Sequence, residues 1–203
     1  MSVEENLIQV FGAYKVSIAL KMDTEISIVA VDLSDTHRVQ LLMTSGLSKH
    51  PMNVPDHLKS QNRCEIYFCV PSYWELLKDL DPKANWVMNW LQLIVNYAKS
   101  NDVWLGAGHT LKCGADKLPL SPTMKQEYFV FSPPILLEDE FSEIKRLCEE
   151  INFFSVIPLF EKEFEYKQRK GIEKFAQKMK AAGMSEKLDD FRPSLIKRSR
   201  LFF

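Results

Sequence analysis

The stretch YKVSIALKMDTEISIVAVDL, Tyr14 to Leu33, sets the fold class. Tyr14, Val16, Ile18, Leu20 and Met22 alternate with shorter or polar residues. That two-residue period predicts a strand with one buried face. Ile26 to Leu33 is a β-branched run, and Asp23-Thr24 between the two suits a tight turn. The chain therefore opens with a hairpin.

Working outward, Val39 to Met43 and Glu65 to Val70 are two further strand candidates, the second stopping at Pro71. Helical signals follow. Ser72 can cap a short helix through Leu80, ended by Asp81-Pro82. Ala84 to Lys99 has the clearest helical period: Val87, Trp90, Leu91, Ile94, Tyr97 and Ala98 share a face that Trp86 and Leu93 widen. This predicts a mostly buried helix. Trp104 to Leu111 reads as a strand interrupted by two glycines, and Gly114 to Lys125 as a loop holding Pro119 and Pro122. Glu127 to Phe131 is a short aromatic strand, Glu138 to Glu150 a helix, and Ile151 to Ile157 a strand. Pro158 takes the place of a helix N1 proline, with the helix running from Glu161 to Ala182. Phe164, Ile172, Phe175, Met179 and Ala182 line one side of it; Gly171 marks a break and Gly183 a stop. A hairpin followed by interleaved elements without regular βαβ spacing predicts an α+β fold, a mixed sheet with helices packed on it.

At 203 residues, 46% of them apolar, the chain suits a single domain spanning 1–203 with a sizeable core. Its 26 Lys+Arg against 27 Asp+Glu lack the basic excess of a non-specific nucleic-acid binder. Only the end departs from balance: Glu161 to Phe203 holds 12 basic and 7 acidic residues, an excess of 5. Residues 184–203 read as a basic tail, docked or loose. The first ten residues carry two acids and no basic n-region, and no apolar run reaches the ~20 residues that span a bilayer. A cytoplasmic location is expected. Cys64, Cys69, Cys113 and Cys148 fit it: they form no CxxC pair, and Cys64 and Cys69, five apart on one strand, face opposite sides.

Two segments are dense in special-purpose residues yet carry no catalytic spacing. In TSGLSKHPMNV (Thr44 to Val54), Ser45-Gly46 and Asn53 suit turns, and Pro51 pushes His50 towards an extended backbone. This is an ordered loop, with Met43 and Met52 placed to pack beneath it, and not a GxSxG elbow. In the second segment, Gly106-Ala107-Gly108 lacks the third glycine, the lysine and the hydroxyl of phosphate loops. Its glycines let the backbone bulge, and His109-Thr110 can tie that bulge down. Glu143-Ile144-Lys145 lies in helical phase and reads as an exposed face. His37, His50, His57 and His109 show no zinc or HExxH spacing, and no EF-hand is present. No cofactor, metal or catalytic residue is assigned.

LLMTSGLSKHPMNVP (Leu41 to Pro55), NDVWLGAGHTL (Asn101 to Leu111) and FFSVIPLFEKEFEYK (Phe153 to Lys167), in that order and spacing, resemble the Suppressor of fused domain. EIYFCVP (Glu65 to Pro71) and FVFSPP (Phe129 to Pro134) fit strands of that family, so the resemblance runs from about Val39 to Lys180. It implies a mixed α/β domain that binds proteins and is not an enzyme. The animal relative is longer and holds a transcription factor in check; short stand-alone members are typically bacterial, and many look like immunity proteins that neutralise a toxin. The resemblance carries motif roles, structural or partner-contacting, onto Ser45, Gly46, His50, Pro51, Met52, Trp104, Gly106, Gly108, His109, Thr110, Pro158 and Glu163. The family often has an aromatic between the two glycines; here it is Ala107, which implies a shallower surface.

Overall fold

The hairpin forms, with one change of phase. The computed structural model describes residues 2–74, 82–100, 103–113, 120–121, 123–148 and 150–196. In it β1 (Val16–Lys21) pairs antiparallel with β2 (Ser27–Leu33). The Asp23 carboxylate closes the turn by accepting from the backbone N–H groups of Glu25 and Ile26, both at 2.8 Å. The register slips between Ile18 and Leu20, so the predicted alternation breaks there and Ile18 is exposed.

Seven strands make one mixed sheet in the order β1-β2-β3-β4-β7-β6-β5. The others are β3 (Val39–Ser45), β4 (Cys64–Pro71), β5 (Thr110–Lys112), β6 (Tyr128–Ser132) and β7 (Asn152–Leu159). Among the described strand pairs, only β4–β7 is parallel. Helix α2 (Pro82–Ser100) packs on the face built by Ile28, Leu42, Ile66 and Phe68. Their strand neighbours Val29, Leu41, Met43 and Tyr67 point the other way, onto α1 (Val3–Phe11) and α3 (Glu138–Leu147). The period of two thus feeds both cores from the same strands, and it sends Cys64 to the first and Cys69 to the second. A third cluster joins Tyr128, Val130, Ile157 and Leu159 to Phe175 and Met179 of α5 (Ile172–Ala181).

Strands β4 and β7 stay paired for only part of their length, Cys64–Tyr67 against Asn152–Ser155. Farther along, Cys69 bridges in parallel to Lys187, and the Leu188 N–H donates to the Cys69 carbonyl at 2.8 Å. Residues 187–188 occupy the place that β7 vacates. Glu186, buried just before them, accepts from Tyr67 Oη at 3.2 Å and from the N–H groups of Ile135 and Leu136 at 3.0 and 2.8 Å. The tail is docked as far as Leu195, whose N–H donates to Glu163 at 2.8 Å; the basic run Lys197, Arg198, Arg200 lies outside the described residues, as do Pro119, Pro122 and the predicted helix beyond Trp74.

Four local expectations change. Trp104 to Leu111 is not a strand: a turn through Ala107 and Gly108 precedes a short β5. Pro158 is not at a helix start but within β7, opposite Phe129. It is tolerated because β4 has parted from β7 by then, so the missing N–H costs no bond on that side. Leu93 and Tyr97 of α2 are exposed, so its buried stripe is narrower than the sequence suggested, Trp86, Val87, Leu91, Ile94 and Val95. Ile172 and Ala182 are exposed too. They lie at the ends of α5, which Gly171 (φ +86°) separates from α4 (Glu161–Lys170) and Gly183 (φ +64°) terminates.

Candidate functional site

The first motif is organised around a residue outside it. Glu65, fully buried near the start of β4, accepts from Thr44 Oγ1 (2.6 Å), Ser48 Oγ (2.7 Å) and the N–H groups of Gly46 (2.9 Å), Ser48 (3.1 Å) and Leu47 (3.3 Å). Burial pushes its pKa up; the donors from Thr44, Ser48 and Gly46 pull the other way. Gly46 makes the wrap possible. Its φ is +108°, and a Cβ there would stand 2.0 Å from the Glu25 carbonyl oxygen. Ser45, just before it, is half-buried at the end of β3.

Beyond this cradle, His50 is extended (φ −102°, ψ 90°), as the following Pro51 dictates. Its Nε2 lies 3.3 Å from Glu25 Oε2, too oblique for a hydrogen bond. Pro51 is exposed and Met52 turns inward. The Met52 sulfur receives the Leu105 N–H at 3.1 Å, so the first motif touches the second. Met43, predicted to support the same loop, instead faces the α1/α3 core.

In the second motif, Trp104 folds over Gly106, where a Cβ would sit 2.3 Å from the indole. The Trp104 and His109 rings meet edge-on with centroids 4.0 Å apart, and His109 Nδ1 lies 3.1 Å from the Trp104 carbonyl oxygen. The histidine thus ties the turn to itself. Gly108 (φ +81°) donates its N–H to the Phe131 carbonyl at 2.7 Å, and the Phe131 N–H returns a bond to the His109 carbonyl at 3.0 Å. Thr110 then starts β5 opposite Val130.

The third motif sits apart. Glu163, fully buried, caps its own helix by accepting from the Phe160 N–H at 2.9 Å. It also takes a two-pronged bond from Arg192, 2.6 and 2.7 Å, and one from the Leu195 N–H at 2.8 Å. Arg192 donates again to the Pro158 carbonyl at 2.7 Å and lies over the Phe160 ring, 5.0 Å from its centroid. Both remaining motif residues therefore hold the C-terminal segment in place.

Three partners were missed from sequence. Glu65 had a signal, an acid inside the apolar run CEIYFCV. Glu186 and Arg192 had none. The thiols of Cys64, Cys69 and Cys113 are pushed well above their ordinary value, mainly by burial, and stay protonated. Among the described residues no three His, Cys, Asp or Glu side chains gather as metal ligands, and no helix is long and apolar enough to cross a membrane.

A family-wide sequence pattern described as Suppressor of fused protein (SUFU) matches residues 23–193. The chain belongs to the Suppressor of fused family. Solved structures share its fold at low identity. A SUFU homolog from Neisseria gonorrhoeae aligns with TM-score 0.65 and 14% identity, over 97% of this chain and 96% of that one. A Sufu–Fu complex aligns with TM-score 0.60 and 14% identity, over 95% and 90%. Drosophila Suppressor of Fused aligns with TM-score 0.61 and 15% identity, over 96% of this chain but 50% of its own length. No curated protein matches the sequence significantly.

Proposed function

We propose that this SUFU-family chain is a bacterial, cytoplasmic protein-binding domain that acts as an immunity protein, holding a cognate toxin inactive by occupying its surface. One observation carries the binding reading: the two buried carboxylates in or beside the motifs and the His109 imidazole are spent inside the fold. Glu65 and Glu163 are enclosed by donors, and His109 is bound to its own turn. Groups so engaged build a scaffold and are not free to act on a substrate. In this reading the motif residues define the fold, and the partner surface lies elsewhere; no metal, cofactor, nucleic acid or membrane is involved. A related structure is of a Sufu–Fu complex, and this supports a second reading, a cytoplasmic adaptor that sequesters a regulator such as a transcription factor.

Co-expression with the product of the adjacent gene tests the first reading. Growth should be rescued and the two proteins should co-purify. Equal killing with and without this chain rejects the toxin, and a pull-down from native cells then separates the adaptor reading. His50→Ala and His109→Ala check the scaffold role. Each should lower the unfolding midpoint; a folded variant that has lost a chemical activity would mark an enzyme instead.

A further inference from the structure

Helix α5 and the segment 133–136 flank a groove of about 690 Å³, with β6 residues between them. Ile172 on the helix and Ile135 and Leu136 on the segment are 41%, 42% and 37% exposed. They are three of the nine large apolar side chains exposed among the described residues, gathered on one feature. Both walls are fixed from behind. The backbone of Ile135 and Leu136 is held by buried Glu186, so their side chains face outward from a pinned chain. The start of α5 rests on the turn, where Ile172 lies close enough to Gly108 to meet any Cβ there at 3.0 Å. The groove is thus preformed.

Its charged groups have opposite signs. Lys180 lines it from the helix, and Glu138 from the residues that follow the segment; both are exposed. A surface with a basic and an apolar group on one wall, and an acidic and apolar groups on the other, is complementary to itself under a two-fold rotation. In that arrangement helix wall would meet segment wall twice, with Lys180 of each copy facing Glu138 of the other and Ile172 facing Ile135 and Leu136.

We propose that this groove is the interface between two copies of this chain. The proposal is independent of the toxin reading. Sedimentation of the full chain over ~1–500 μM, the range in which a modest interface assembles, should show a concentration-dependent dimer. Lys180→Glu and Glu138→Lys should each weaken it about tenfold or more, because each variant places like charges together twice. Mixing the two variants should restore a heterodimer in which both pairs are again matched. Ile172→Asp should leave only monomer. Melts taken at a concentration where every protein is monomeric should show both charge variants folded cooperatively and only slightly below the parent, since each position is exposed but each reversal opposes its helix dipole. A parent that stays monomeric throughout overturns the proposal. So does a dimer indifferent to these changes, or a mixture that gains nothing over either variant alone.

Discussion

Glu65 and Glu163 are both buried without exposure, one at the start of β4 and the other past the far end of β7, and they are satisfied in opposite ways. The Glu65 donors are all neutral and come from four of five consecutive residues, Thr44 to Ser48. Glu163 relies on a cation, Arg192, 29 residues away, that also reaches the Pro158 carbonyl. A loop wrapped on a carboxylate is built once and locally. A charge pair across the tail makes one buried group depend on another segment staying put. The first arrangement ties the centre of the sheet to its own connection; the second ties the sheet to the end of the chain.

Removing either acid's partners should show that difference. The largest effect is expected for Glu65→Ala, which strands two hydroxyls and three N–H groups in the core. A loss of about 4 kcal/mol in denaturant unfolding is expected, with faster amide exchange in both β3 and β4. A loss below ~1 kcal/mol would mean that the loop finds other acceptors. Arg192→Ala leaves Glu163 buried without its cation and should cost about 3 kcal/mol. Here exchange should quicken across residues 185–196 while β2 and β3 stay protected; equal quickening everywhere would erase the contrast between the two ends. Gly46→Ala should cost about 2 kcal/mol, because it brings a Cβ onto the Glu25 carbonyl at a positive φ. It tests whether the Glu65 cradle depends on the shape of the loop as well as on its donors.

The smallest effect concerns pH. The Asp23 carboxyl is held down to about 2 by the N–H groups of Glu25 and Ile26 and then by Lys99. A depressed acid contributes stability above its ordinary value near 3.8, and that contribution drains away as pH falls through about 2. Asp23→Asn should flatten the acid limb of the unfolding midpoint in that window and leave Glu65 and Glu163 untouched. An unchanged acid limb would show that the hairpin turn carries no pH dependence.

Much of the fold was legible because its signals are local. The opening hairpin, the β-branched run to Leu33 and the stripe of α2 each depend on neighbours a few residues away, although Tyr14 falls outside β1 and is exposed. Gly171 and Gly183 punctuated the last helices as their backbone freedom predicts. The failures have a shared cause. Pro158 looked like a helix start because nothing in the sequence says that β4 and β7 separate midway. Ile18 looked buried because a one-residue slip in pairing leaves no mark on composition. Leu93 has helical phase but falls on the exposed side of α2. The site followed the same rule. The residues of the three motifs fall into local constructions, yet Arg192, which closes the third, and Glu186, which pins Tyr67 to residues 135 and 136, lie in a segment with no periodic signal.

The interposed segment 187–188 also governs when this molecule can become itself. Tyr67 and Glu186 are bonded across 119 residues of chain, and the gap between β4 and β7 stays open until the later partner arrives. During synthesis β1 to β4 can pair as they emerge, since each contacts its predecessor. The edge of β4 beyond Tyr67 that faces away from β3 must wait, its backbone groups unpaired, until the residues that cover it have left the ribosome. Contacts of that span make for slow closure and a long exposure to wrong pairing. Truncating the chain before Ser185 is thus expected to yield a polypeptide with most of its sheet and an open seam, prone to aggregate.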